Sequence, residues 1–106
     1  MRISKLEDYH KGWFVGGFTP TAYFSTHAEV CYRIHPKGED WPRHYHKIGV
    51  EINLLIKGSM TINDTLIHEG EVFIIDPYEI TKPTYLTDCE LIIIKLPSVP
   101  GDKYES

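Results

Sequence analysis

At 106 residues the chain is long enough for one domain with its own core and too short for a second. Eleven basic against fifteen acidic residues leave a net charge of −4, which argues against a general binder of the nucleic-acid phosphate backbone. The N-terminal MRISKLEDYHKGWF has no apolar h-region and no run reaches membrane-spanning length, so a cytoplasmic protein that neither crosses a membrane nor binds nucleic acid is expected.

Residues 1–11 are polar without a clear period and read as an edge strand or an arm. Gly12 to Phe18, GWFVGGF, is aromatic and glycine-rich, which suggests a short strand with a bulge or a close backbone approach. Thr19-Pro20-Thr21 breaks it. In the following TAYFSTHAEVCYRIH, Ala28, Val30, Tyr32 and Ile34 alternate with Glu29, Cys31, Arg33 and His35, the pattern of a half-buried strand. Pro36-Lys37-Gly38 then turns the chain. Val50 to Ile56 is strongly β-forming, Lys57-Gly58 is its turn, and Ser59 to Ile62 is the return strand. Asn63-Asp64 and Glu69-Gly70 are further hairpin turns around Thr65 to His68. Val72 to Ile75 is stopped by Asp76-Pro77, Thr84 to Leu86 follows, and CELIIIKL, Cys89 to Leu96, is apolar enough to sit centrally in a sheet. No window has a helical period, so many short, evenly spaced strands argue for a sandwich or barrel. The tail PSVPGDKY, Pro97 to Tyr104, is expected to lie extended on the surface or against a partner. Cys31 and Cys89 form no C-x-x-C pair and read as buried free thiols.

The chemistry is concentrated between Gly38 and Gly58, GEDWPRHYHKIGVEINLLIKG. His44 and His46 are two apart, so on a strand both leave the same face and can converge on one point, a metal-ligand spacing. Glu51 has the opposite parity and joins them only if the chain bends or bulges near Lys47, Ile48 and Gly49, a role Gly49 suits. Asn53 and Leu55 share Glu51's parity and should face the same interior, with Asn53 able to bond a ligand or orient the carboxylate.

A glycine, five residues, His-x-His, four residues, Glu, six residues and Gly, as these stand from Gly38 to Gly58, resembles the first signature motif of the cupins. The second motif is met in part. Counted from Gly70, Asp76 stands at the proline position, Tyr78 at the second glycine and Thr81 where the family has its fourth ligand histidine. The two motifs and their strands cover roughly residues 28 to 96. The tail resembles the ending of small single-domain cupins of bacteria and their viruses. The resemblance implies an all-β fold, the double-stranded β-helix or cupin jelly-roll barrel, as a single domain over 1–106: a core barrel over 28–96, N-terminal strands or arm over 1–27 and a tail over 97–106. It implies a divalent metal ion, Fe, Mn, Zn, Ni or Co, held by His44, His46 and Glu51, with Thr81 weakening the cage. Asn53, Tyr78 and Thr81 are expected to line the pocket. A homodimer is also implied, with residues 1–24 and the tail free to pair with another subunit.

Three functions are open to such a chain, each with a small-molecule ligand. One is a metal-dependent enzyme. The second is a metal-free isomerase or epimerase of sugars or nucleotide sugars, in which His44 or His46 is the base and a tyrosine the acid. The third is a non-catalytic binding module. His35 reads as a surface strand residue, and His10, His27 and His68 as structural or solvated. Tyr32, Tyr45, Phe73 and Tyr85 read mainly as core filling, whereas Tyr78 is placed at the pocket mouth.

Overall fold

The computed structural model describes residues 1–106, and apart from two single-turn 3-10 segments it is built of strands. In chain order these are β1 (Trp13–Gly16), β2 (Tyr23–Phe24), β3 (Glu29–His35), β4 (His44–Tyr45), β5 (Val50–Lys57) and β6 (Met60–Ile62), followed by β7 (Thr65–Ile67), β8 (Val72–Ile75), β9 (Pro83–Tyr85), β10 (Cys89–Leu96) and β11 (Tyr104–Glu105). Six of them form one sheet in the order β2-β1-β3-β10-β5-β8, with β10 central as its apolar run requires. A three-stranded sheet, β7-β6-β9, continues through a bridge between Thr81 and His44 into the β4-β11 pair. His44 and Thr81 exchange both backbone hydrogen bonds, at 3.0 and 2.9 Å.

Local chemistry sets the turns. Asn63 and Asp64 both adopt positive φ, 47° and 68°, as a two-residue hairpin between β6 and β7 demands. Gly58 sits at φ 105°, where an added Cβ would stand 2.4 Å from the carbonyl oxygen of Asp88, so only glycine fits. The core is shared between the two sheets: Leu55, Leu91 and Cys89 from the large one meet Met60 and Tyr85 from the small one.

One expectation needs correction, and two pairs of alternatives are resolved. The buried residues of β3 are Glu29, Cys31 and His35, while Ile34 is 55 % exposed. The outer face of the large sheet is itself apolar, so alternation does not reveal which face is inside. Of the edge strand or arm expected over residues 1–11, the arm forms, with 3-10 turns at Leu6–Asp8 and His10–Gly12, the first closed by Asp8 Oδ2 accepting the Lys5 N–H at 3.1 Å. The tail lies on the surface of the chain itself, one of the two expectations stated for it. It folds back along its own barrel, pairs Tyr104 with Tyr45 and buries Asp102 to 7 % exposure.

Candidate functional site

A cavity of about 280 Å³ opens between the sheets, and His44, His46, Glu51, Asn53 and Thr81 all line it. Tyr78 does not. It has φ 67°, is 66 % exposed and lies over Tyr45 on the outside, with ring centres 6.1 Å apart.

His44 belongs to the small sheet and Glu51 to the large one, so the chain changes sheets between them. That crossing explains how a residue of opposite strand parity comes to face the paired imidazoles. The corner is held from far along the sequence. The Asp102 carboxylate accepts three backbone N–H bonds, from Lys47 at 2.9 Å, Ile48 at 3.0 Å and Gly49 at 2.8 Å. Burial acts to raise its pKa, but these three donors outweigh it and hold the carboxyl below the usual range. Asp102 went unnoticed in the sequence, because nothing in PGDKY marks a residue that caps a corner 53 positions away.

His44 Nδ1 lies 3.0 Å from the Pro42 carbonyl oxygen. A carbonyl only accepts, so Nδ1 carries the hydrogen and the neutral ring's lone pair is at Nε2. His46 is 3 % exposed, and its Nδ1 has no partner. Its Nε2 faces Glu51 Oε2 across 3.6 Å, beyond hydrogen-bond reach. Burial pushes the His46 pKa down, against the pull of Glu51, which favours the neutral ring. Asn53 is 2 % exposed and its Nδ2 has no partner, so a buried donor is left for a ligand.

Two imidazoles and a carboxylate are the right donor types for a divalent ion, and the unbonded 3.6 Å gap between His46 and Glu51 is compatible with one. The cage is not preformed: no three His, Cys, Asp or Glu side chains are gathered closely enough to hold a metal. The donor set therefore fits in its chemistry and would have to close on the ion.

A second group was undervalued in the sequence. His35 is 2 % exposed rather than on the surface. Its ring stacks on Tyr85 at 4.4 Å, meets Trp41 edge-on at 5.5 Å and bonds Glu39 Oε1 through Nδ1 at 2.8 Å. Glu39 also accepts from the Trp41 indole N–H. Burial lowers the His35 pKa despite Glu39, and burial raises that of Tyr85, so both are neutral near pH 7. The outward Pro36-Lys37-Gly38 turn conceals this inward placement in the sequence.

No family model and no curated protein sequence matches the chain. Solved structures do. An uncharacterised conserved protein with a double-stranded β-helix domain from Klebsiella pneumoniae superposes with TM-score 0.70 at 14 % identity, over 99 % of this chain and 91 % of that one. KdgF from Halomonas gives 0.66 at 14 % identity, over 72 % and 74 %. An RmlC-like cupin from Desulfovibrio desulfuricans gives 0.61 at 18 % identity, over 71 % and 76 %. Together with the two facing sheets and the cavity between them, these likenesses identify the fold as the double-stranded β-helix of the cupins.

Proposed function

We propose that the protein binds a small organic molecule in the barrel cavity and acts on it at the end formed by His44, His46 and Glu51. The observation that carries this reading is the buried, unbonded approach of His46 Nε2 to Glu51 Oε2 beside a His44 whose tautomer is fixed. When loaded, these three side chains would hold a divalent ion, Fe, Mn, Zn, Ni or Co, which would supply Lewis acidity toward a substrate oxygen. The rest falls to the chain itself. Burial keeps His46 neutral, so its lone pair is available to the ion, and Asn53 Nδ2, which has no partner, donates to a substrate oxygen. The cupin-fold neighbours, which include an oxalate oxidase solved with glycolate, agree with a small-molecule site.

The test is uptake by untagged, chelator-stripped protein, measured by elemental analysis and titration calorimetry with Mn²⁺ and Zn²⁺. One ion per chain is expected, with Glu51→Gln weakening binding at least ~10-fold. No uptake by the wild-type chain refutes the metal site. A specific observation favours the metal-free reading as the second: Tyr85 lines the cavity and stacks on the buried, neutral His35 at 4.4 Å, so a tyrosine and a histidine stand together at its wall. An active, metal-free protein that loses turnover on Tyr85→Phe would establish it.

We also propose a homodimer, with a further surface beside residues 1–24 and the tail. Residues 23–24 and 104–105 form terminal strands that pair on one side only and keep a free edge. The outer face of the large sheet carries two uncharged rows that follow from the register, Tyr32-Ile92-Leu54-Val72 and Val30-Ile94-Ile52-Ile74. Val72 is 60 % and Ile74 57 % exposed. Four strands about 4.8 Å apart and two rows about 7 Å apart span roughly 270 Å², a third of the ~800 Å² each partner covers in a standard interface and enough for its apolar centre. A second copy presents the same rows and is the occupant an isologous two-fold contact requires. Light scattering should give a dimer at micromolar concentration and a monomer for Val72→Lys/Ile74→Lys. A monomeric wild type rules this out.

A further inference from the structure

The cavity wall has a charge opposite to that of the molecule. The chain carries −4 overall, yet four basic side chains, Lys11, Arg33, Lys95 and Lys103, line the cavity against one carboxylate, Glu51. We infer that the cavity is a site for a small organic anion, whose carboxylate or phosphate head is received by Arg33, Lys95 and Lys103. The inference rests on the cavity being the ligand site and not on the metal.

These cations come from different elements. Arg33 is on β3, Lys95 on β10 and Lys103 on the returning tail. They are left without counter-charges: no carboxylate lies within 4.0 Å of Lys11, Lys95 or Lys103, and Arg33 only just reaches Glu39, at 4.0 Å. Glu39 is already engaged by His35 and Trp41. The cations lie instead over aromatic rings. Lys103 Nζ is 3.9 Å and the Arg33 guanidinium 5.2 Å from the Trp41 ring centre, and Lys95 Nζ is 5.0 Å from that of Trp13. Two cations over one indole repel each other unless an anion joins them, and ring faces compensate a charge only weakly. The Lys103 ammonium registers this environment. Burial first and Lys95 next hold it below its ordinary range, with Arg33 and Lys11 adding and Glu51 alone opposing.

An anion entering here would find a planar guanidinium fork, two ammonium groups and the unpartnered Asn53 donor. The volume of about 280 Å³ lies at the lower limit of ligand pockets and suits a short organic acid or phosphate ester rather than a nucleotide sugar. The same charges oppose entry of a bare divalent ion, so a metal here would be held best together with an anionic ligand.

The test is thermal shift and calorimetry on the full chain stripped of divalent ions, at fixed ionic strength and pH 7.5. The probes are malonate, inorganic phosphate and the neutral isostere malonamide. Malonate or phosphate should raise Tm and malonamide should not, with whichever anion acts identifying the head group. Lys95→Met and Lys103→Met should each weaken anion binding about 10-fold or more, and the surface variant Lys57→Met should leave it unchanged. Equal shifts with malonamide, no shift with either anion, or unaltered binding in both cavity variants would overturn the inference. Metal uptake without an anion effect sinks this inference alone, and an anion effect without metal uptake sinks only the metal site.

Discussion

Replacing Asp102 with alanine removes the acceptor that holds the corner between the histidines and Glu51. Three N–H groups lose their partner. Lys47 and Ile48 are exposed, so water can take over their donors at about 0.5–1.5 kcal/mol each, whereas buried Gly49 is left orphaned at about 1–3 kcal/mol. The expected loss is about 4 kcal/mol. At roughly 4 °C per kcal/mol for a domain of this size, Tm should fall by about 16 °C. Asp102→Asn keeps one carbonyl acceptor and should lose about half as much. The charge adds a pH signature. Because the folded pKa lies below the ordinary 3.8, the unfolded chain binds the proton first as pH falls. The contribution is therefore complete above pH 3.8 and disappears as pH falls through the folded value, so the wild-type and Asp102→Asn curves should converge in acid. Chemical denaturation from pH 7 to pH 3, with metal and malonate binding measured at pH 7.5, is the assay. A loss below ~1 kcal/mol for the alanine variant, or full ligand binding despite the expected loss, would refute the corner's dependence on the tail.

Gly58→Ala forces a Cβ to 2.4 Å from a backbone oxygen at φ 105°, whereas Gly70→Ala, at φ 81°, meets nothing within 4 Å. Urea unfolding should give about 1–2 kcal/mol of loss for Gly70→Ala and clearly more for Gly58→Ala. His35 has a folded pKa below its ordinary 6.5, so its contribution is complete above pH 6.5 and is lost as pH falls through the folded value. His46 acts in the same direction, so His35→Phe, which keeps a ring on Tyr85, should reduce the acid-side slope of stability between pH 7 and pH 5 without abolishing it. The Cys31 thiol is fully buried and pushed up to about 12 by burial, so folded protein at pH 8 should resist iodoacetamide at this residue and react there once unfolded, as read by peptide mass spectrometry.

Much of the fold was legible because its signals are local. The Asn63-Asp64 turn, the glycine at 58 and the apolar run Cys89–Leu96 each dictate their backbone within a few residues, and the structure places turns and a strand there. What alternation could not supply was the facing of β3. Val30, Tyr32 and Ile34 look like the inner set only if the outer face is polar. Here that face is aliphatic across four strands, so the polar-looking set, Glu29, Cys31 and His35, goes inside. Polarity followed partners: Glu29 accepts from Ser98 at 2.9 Å, and His35 pairs with Glu39.

The candidate site divides along the same line. His44, His46 and Glu51 lie within eight residues and could be read from spacing. Arg33, Lys95 and Lys103 come from strands and a tail that only the topology brings to the cavity, and Asp102 comes from that tail to the corner. Consecutive tail residues serve the two halves of the site, since Asp102 fixes the corner behind Glu51 and Lys103 sits over Trp41 at the cavity wall. A displacement of the tail would therefore move the corner and a cation together. Shortening the chain before Asp102 should weaken anion binding more than Lys103→Met alone, because it also releases the corner that aims the carboxylate.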